Sequence, residues 1–359
     1  RSRREIHSAK SFFRKEVPLS NDEPTYARLA RGTIGDEEAT KALDVLSVIP
    51  QLKAETGDHV SRATFAMALN VILFAGLLRR VPSGAAYVDK YVRDAGSTTQ
   101  FDHGALRTIS FADGPTGELP QGVEAIARLL EPIGYQVAGV YPLPKLRMTG
   151  RAYAHVDHPA SIPQFFLSEL HVDQFDEQFQ AAAHRVFGYS HDPVSRDTIT
   201  TLARFADDKK IPFADALALM PEVVGAFGRH HGAVNLEDYE VLLSRSAEAG
   251  WIATEGNAFN HATDRVADVQ ALSVQLQTDG APVKDQVEIS ANGRVRQTAL
   301  RADSVERTFI ADNGEEVRRM VPGSFYEYIS RDIIPETGEL DLTFDSGNAT
   351  AIFDMTRAT

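Results

Sequence analysis

One short pattern occurs twice in the chain and constrains its fold more strongly than any other feature. HGALR at 103–107 and HATDR at 261–265 each place a histidine four residues before an arginine. A helix-like stretch and further strand-like runs follow both copies in the same order. A chain that repeats both a motif and the order of its elements is expected to contain two similar modules, here of the βαβββ type.

The first module begins at FDHGALRTISF, residues 101–111, where Thr108 and Ile109 favour an extended backbone. Because side chains alternate along a strand, His103 and Arg107 are predicted to share one face. The module continues with one predicted helix and three predicted strands. These segments are PQGVEAIARLLEPIG at 120–134, YQVAGVYPL at 135–143, LRMTGRAYAHV at 146–156 and PQFFLSELHV at 163–172.

The second module begins after Gly250, where the sequence returns to strand-like runs. Asn-Gly pairs at 292 and 313 predict turns between neighbouring strands. The predicted elements are an extended stretch at 251–265, a helix at 265–280, and strands at 285–291, 293–302, 307–312 and 324–332.

We expect one integrated α+β catalytic domain. Its parts are an N-terminal helical segment (1–95), with helices near 36–47, 58–79 and 85–94, the first module (96–173), a helical insertion (174–250), and the second module with a C-terminal tail (251–359).

Composition limits the partners and the kind of metal site. The formal net charge is −13, from 37 basic and 50 acidic residues, which opposes binding to phosphate backbones. The chain has no cysteine, so any metal must be held by histidine and carboxylate. The longest apolar stretch, 65–78, is interrupted by Asn70 and is too short to span a bilayer. Without a secretory signal in its first residues, the chain is predicted to be cytoplasmic, with neither nucleic acid nor membrane as a partner.

Each module also carries a glutamate, Glu169 in FFLSEL and Glu327 in FYEYI, 66 residues after its histidine. Duplicated βαβββ units resemble the vicinal-oxygen-chelate superfamily, whose sheets enclose a cavity with metal ligands from the first and last strands of each unit. Two imidazoles and one carboxylate leave about three positions of an octahedral iron open for a chelating substrate and O₂. Four ligands, including both glutamates, would suit a metal that polarises a carbonyl for proton transfer.

A closer resemblance rests on six segments in a fixed order: FDHGALRT, LRMTGRAYAHVDHP, FFLSEL, NAFNHATDR, FYEYISR and FDSGNATAIF. In this order they are similar to the 2-oxoadipate dioxygenase/decarboxylase family, also called hydroxyglutarate synthase, over about residues 40–355. The resemblance implies Fe(II) held by His103, His261 and Glu327, and Arg107 holding the distal carboxylate of a 2-oxo dicarboxylic acid. The implied reaction converts 2-oxoadipate and O₂ to 2-hydroxyglutarate and CO₂, in lysine breakdown.

Several further residues keep more than one interpretation. Glu169 has three interpretations: a fourth metal ligand, a hydrogen-bond acceptor that orients an imidazole, or an acid at the end of a strand. The second and third are favoured. For Arg265 and Arg331, a role as salt-bridge partners and a role as substrate contacts are equally favoured interpretations. Ser346, together with Asn348, is expected at the mouth of the pocket.

The remaining histidine pairs are not expected to bind a metal. His155 and His158 are predicted to lie on a loop over the sheet, and His230 and His231 on the surface of the insertion.

Two other functions stay open. The first is a glyoxalase-like isomerase or lyase on the same fold, with both glutamates at the metal. The second is a binding protein that has the fold without the chemistry.

Overall fold

The computed structural model of the protein describes residues 21–345. Its N-terminal part is helical, with one short strand. The elements are α1 (Thr25–Ile34), α2 (Asp36–Leu43), α3 (Pro50–Lys53), β1 (His59–Ser61), α4 (Arg62–Arg80), α5 (Pro82–Tyr87) and a π-helical turn (Val88–Arg93). Helices α1 and α3 are additions to the three helices that the sequence predicts.

Helix α4 is the central helix of the hydrophobic core. It begins where the Ser61 hydroxyl accepts a hydrogen bond from the Thr64 amide, and almost every residue from Ala63 to Leu77 is buried. By length and composition alone this helix could cross a membrane, but 78% of its apolar window is buried inside the protein. Burial on all sides explains why its sequence is apolar around the whole helix.

The first βαβββ module follows directly. It consists of β2 (Gln100–Ser110), α6 (Glu124–Leu130), β3 (Tyr135–Leu143), β4 (Met148–His155) and β5 (Gln164–His171). These bounds match the predicted segments closely.

A helical insertion separates the modules. Its elements are α7 (Glu177–Phe187), α8 (Arg196–Asp208), β6 (Lys210–Pro212), α9 (Phe213–Gly225), α10 (Leu236–Arg245) and α11 (Ala247–Glu255). Strand β6 pairs with β1, which joins the insertion to the N-terminal helices. The prediction that strand structure resumes at Trp251 is wrong, because the Ser246 hydroxyl caps a new helix that continues to Glu255.

The second module repeats the element order of the first, with one addition. It consists of β7 (Phe259–Arg265), α12 (Val269–Thr278), β8 (Glu288–Ile289), β9 (Val295–Ala299), β10 (Ser304–Ile310), β11 (Glu316–Pro322) and β12 (Phe325–Arg331). Strands β10 and β11 form a separate hairpin, of which the sequence reading missed the second strand. Gly293 and Gly314 have positive φ angles of 74° and 84°, which confirms both predicted Asn-Gly turns.

The two modules form one strongly curled eight-stranded sheet, a half-barrel with the strand order β3-β4-β5-β2-β7-β12-β9-β8. Within each module the first and last strands are parallel neighbours, β2 with β5 and β7 with β12. The modules join through the antiparallel pair β2 and β7. This topology confirms the predicted α+β fold of the vicinal-oxygen-chelate type, in which the concave face of the sheet forms the cavity.

Candidate metal centre and substrate cavity

Three buried side chains from neighbouring central strands converge on the concave face. His103 lies on β2, His261 on β7 and Glu327 on β12, and one ligand atom from each lies within 4.8 Å of the others. The Nε2 atoms of His103 and His261 are each 3.4 Å from Glu327 Oε2. Within residues 21–345, these residues form the one group of three or more such side chains that could hold a metal ion.

Two β-bulges on β2 and β7 determine the surroundings of these histidines. The pairing of β2 with β7 skips Asp102 on one strand and Asn260 on the other, so each is the extra residue before a histidine. As a result, an oxygen of each bulged residue reaches the Nδ1 atom of the histidine that follows it. Asp102 Oδ1 is 2.9 Å from His103 Nδ1, and Asn260 Oδ1 is 3.2 Å from His261 Nδ1.

Arg265 and Arg331 both bind the carboxylate of Asp102. Arg265 Nε donates to Asp102 Oδ2 at 2.7 Å, and Arg331 Nη2 donates to Asp102 Oδ1 at 2.9 Å. All three side chains are largely or fully buried. Of the two interpretations of these arginines, the structure shows the salt-bridge partners, and both act on His103 through Asp102.

This arrangement gives the two histidines opposite pKa shifts. Burial favours the neutral imidazole in both cases. In His103 the hydrogen bonds to Asp102 and Glu327 overcome burial and raise the pKa, whereas in His261 burial dominates and lowers the pKa. Burial also opposes ionisation of Glu327, but His261 and His103 hold the pKa of that carboxyl well below its ordinary value.

The residues present fit a divalent metal ion. Imidazole nitrogens and a carboxylate oxygen are ligands that non-haem iron accepts. Glu327 Oε1 is buried and has no hydrogen-bond partner among the described residues, and an unpaired buried carboxylate oxygen is costly unless a cation compensates it. Asp102 and Asn260 hold the opposite nitrogen of each ring, as is usual for metal-bound histidines.

Glu169 lies outside this group. On β5 it pairs with Thr108, and its side chain projects from the convex face of the sheet, where it binds Arg151 at 2.8 Å and the amide of Val123 at 3.3 Å. The equal spacing of 66 residues therefore does not reflect equal strand positions. The register instead places Phe166 where the second module has Glu327, because Gln164 pairs with His103 as Phe325 pairs with His261.

The three candidate ligands line a cavity on the concave face of the sheet. Phe166 and Phe344 form an apolar wall, and Arg107 lies on the same strand as His103. The Arg107 guanidinium is buried and stacks on the ring of Trp251, with 5.1 Å between the guanidinium carbon and the ring centroid. Trp251 comes from α11, so the insertion contacts a residue that lines the cavity.

Ser346 and Asn348 lie outside the described residues. The segment leading to them reaches the cavity, since Phe344 and Asp345 line it.

The predictions for the two other histidine pairs need correction. His230 and His231 are buried, not on the surface, and their Nε2 atoms lie 3.2 Å and 2.8 Å from the backbone carbonyl oxygens of Ala226 and Ala253. His155 is not on a loop, since it is the last residue of β4.

The sequence reading missed four residues around the site: Asp102, Asn260, Thr263 and Trp251. Thr263 lies between the candidate ligands, donating to Glu327 Oε2 at 2.5 Å and lying 3.1 Å from His103 Nε2. A signal for the first two was available, because the repeat extends backwards to FDH and FNH. Trp251 carried no such signal, because its approach to Arg107 depends on the packing of α11.

Comparison with known proteins identifies the family. The model of the 2-oxoadipate dioxygenase/decarboxylase family matches residues 83–339. A search of curated proteins finds no match. A putative glyoxalase superfamily protein from Ralstonia eutropha JMP134 is 48% identical over 90% of this chain and 99% of its own, with a TM-score of 0.85.

Two hydroxyglutarate synthases show the same fold at lower identity. The enzyme from Oryza sativa, crystallised with 2-oxoadipate, is 20% identical over 82% of this chain and 93% of its own, with a TM-score of 0.63. The Pseudomonas putida enzyme is 19% identical over 94% of this chain and 75% of its own, with a TM-score of 0.51. Since the family model covers well over half of its residues, the chain belongs to the 2-oxoadipate dioxygenase/decarboxylase family.

Proposed function

We propose that the protein is an Fe(II)-dependent dioxygenase that converts 2-oxoadipate and O₂ to 2-hydroxyglutarate and CO₂, with His103, His261 and Glu327 as metal ligands. The observation that carries the proposal is the convergence of these three buried side chains beside a cavity that contains a buried arginine. Family membership supports the reaction, and so does 2-oxoadipate bound to two hydroxyglutarate synthases of the same fold. A role in lysine breakdown and a cytoplasmic location belong to the same proposal.

Bound ferrous iron supplies the chelation of a 2-oxo acid and its reaction with O₂. The chain's own residues then set which acid fits. Arg107 pairs with the distal carboxylate, and the stacking of Trp251 holds the guanidinium in place. Phe166 and Phe344 keep water from the reacting carbons. Loss of CO₂ supplies the electrons, so no external reductant enters the reaction.

The position of Glu169 argues against the glyoxalase-like alternative. That mechanism places both glutamates at the metal, with one as the base. Glu169 projects from the convex face and is paired with Arg151, so it does not supply a ligand on the concave side.

The test is oxygen uptake by iron-loaded protein with several 2-oxo acids, with CO₂ measured in parallel. We expect one CO₂ released per O₂ consumed with 2-oxoadipate. Turnover under anaerobic conditions with Zn²⁺, Ni²⁺ or Mn²⁺ would instead support the isomerase, and failure to consume O₂ with any 2-oxo dicarboxylic acid would refute the proposal.

Arg107→Ala tests the substrate role separately. We expect iron to stay bound while KM for 2-oxoadipate rises by roughly tenfold to hundredfold, the value of a charge-assisted hydrogen bond. Unchanged kinetics would remove Arg107 from this role.

A further inference from the structure

Thr263 lies at the centre of the three candidate metal ligands. The strand order places β7 between β2, which carries His103, and β12, which carries Glu327. On β7, Thr263 pairs with His103 on one side and with Glu327 on the other. Because neighbouring strands are about 4.8 Å apart, the backbones of these two ligands are separated by two such spacings. Their side chains therefore meet above Thr263, which forms the floor of the candidate metal centre.

The hydroxyl of Thr263 contacts both of these ligands. It donates to Glu327 Oε2 at 2.5 Å and lies 3.1 Å from His103 Nε2. An ionised carboxylate only accepts hydrogen bonds, so the single hydroxyl proton is directed to Glu327. A metal ion takes the lone pair of His103 Nε2. The bond to Glu327 is therefore the contact of Thr263 that is compatible with a bound ion.

This bond fixes the orientation of the Glu327 carboxylate. Oε2 lies 3.4 Å from Nε2 of both His103 and His261, so it faces the two imidazoles. Within residues 21–345, Thr263 is the one hydrogen-bond donor to this carboxylate besides the imidazoles. An imidazole nitrogen that binds a metal can no longer donate. With an ion in place, Thr263 is thus the donor that remains.

The first module lacks this pair of residues. Ala105 follows His103 by two positions, as Thr263 follows His261. Its neighbour on β5 is Phe166, and both belong to a small apolar cluster. A hydroxyl therefore stands beside the carboxylate in the second module, whereas a methyl group stands beside a phenyl ring in the first.

We propose that Thr263 is a positioning residue for the metal ligand Glu327. Its hydroxyl holds the carboxylate so that Oε2 faces both imidazoles, and it acts on the metal only through Glu327. This inference rests on the proposed function, in which Glu327 is a ligand. It adds a fourth buried side chain on which the geometry of the centre depends.

The experiment measures the binding of Co²⁺ to the wild type, T263V and T263S by calorimetry and by the visible cobalt spectrum. T263V keeps the shape of the side chain but removes the hydroxyl, so we expect Co²⁺ affinity to fall by roughly tenfold to hundredfold. At saturating Co²⁺ its spectrum should differ from that of the wild type, because the carboxylate is no longer held in one orientation. T263S keeps the hydroxyl, and we expect its affinity to stay within about threefold and its spectrum to match the wild type.

Thr298 provides the matched control. It is fully buried, like Thr263, and lies on β9, the other neighbour of β12, where it pairs with Tyr328. Its hydroxyl has no hydrogen-bond partner among the described residues. T298V makes the same chemical change without touching a candidate ligand, so we expect Co²⁺ affinity to stay within about threefold of the wild type.

The outcomes separate the two proposals. A folded T263V with the Co²⁺ affinity and spectrum of the wild type would overturn the inference about Thr263. An equal loss in T263S or in T298V would also overturn it, because the hydroxyl at position 263 would then not be the cause. If T263V does not fold, T263A removes the same hydroxyl and is judged by the same criteria. A wild-type protein that binds no Co²⁺ would instead refute the proposed metal centre.

Discussion

The two modules share a topology but contribute unequally to the candidate metal centre. The second module supplies His261 and Glu327, whereas the first supplies only His103. Phe166 occupies the place in the first module that Glu327 occupies in the second. Strand register fixes where a side chain lies, and the residue at that place fixes whether it can bind a metal.

A second difference lies on the convex face of the sheet. Asp264, three residues after His261, is buried beneath Tyr326, whereas the equivalent residue of the first module is Leu106. Burial raises the pKa of Asp264 to about 7. The differences on both faces can be tested by exchanging one residue at a time.

The largest effect is expected from removing the carboxylate that only the second module places at the metal. Loss of a residue that only hydrogen-bonds to a metal ligand weakens metal binding by roughly 10–100-fold, and Glu327→Gln should weaken iron binding by more than this. Glu169→Gln is the matched control, and we expect its iron affinity to stay within about threefold of wild type because Glu169 lies on the other face. Equilibrium dialysis measures both, and equal losses would contradict the assignment.

The next largest effect is expected from the charged bulge of the first module. Asp102→Asn leaves Arg265 and Arg331 buried without their shared anion, so the free energy of unfolding should fall by roughly 3–5 kcal/mol. Asn260→Ala removes one neutral hydrogen bond and should cost about 1 kcal/mol. Urea denaturation of the metal-free variants compares the two, and similar losses would show that the charge difference is unimportant for stability.

A smaller effect is expected from giving the first module its own carboxylate. Phe166→Glu would offer the metal a fourth protein ligand and leave fewer positions for a chelating acid, so binding of 2-oxoadipate should weaken by about tenfold, or about 1.4 kcal/mol. Phe166→Leu is the control for lost aromatic contact with Phe344. Calorimetry on cobalt-loaded protein gives both affinities. Equal weakening in the two variants would show that position 166 is too far from the metal.

The smallest effect concerns Asp264 and depends on pH. The folded protein keeps this carboxyl protonated up to about pH 7, whereas an ordinary aspartate ionises near 3.8, so its contribution to stability is lost as the pH rises between these values. Asp264→Asn removes this titration, so we expect the free energy of unfolding to fall less between pH 4 and pH 8 in the variant than in the wild type.

The matched control for Asp264→Asn is the exposed Asp113 of the first module. Asp113→Asn removes one carboxyl group from the surface and leaves the buried surroundings of Asp264 intact. Urea titrations at both pH values decide the matter, and an identical pH dependence in all three proteins would contradict the prediction.

Local patterns were sufficient to predict most strands of the two modules. Alternation in FDHGALRTISF correctly put His103 and Arg107 on one face, since both line the cavity, and the Asn-Gly pairs correctly marked turns. Equal sequence separation does not give Glu169 the place of Glu327, because loops differ in length, and the favoured view that Glu169 is not a metal ligand agrees with its contact to Arg151. The stretch beginning at Trp251 was misread because β-favouring residues there are overridden by a helix cap and by packing.

The sequence by itself determined that two histidine-bearing modules exist, that cysteine plays no part in any metal site, and which family the chain resembles. Only the tertiary structure decided that Phe166 and not Glu169 stands opposite Glu327, that Arg265 is neutralised by Asp102, and that Trp251 stacks on Arg107. The physical reason is that periodicity is a local property of the backbone, whereas these contacts depend on strand register, bulges and the packing of elements far apart in the chain.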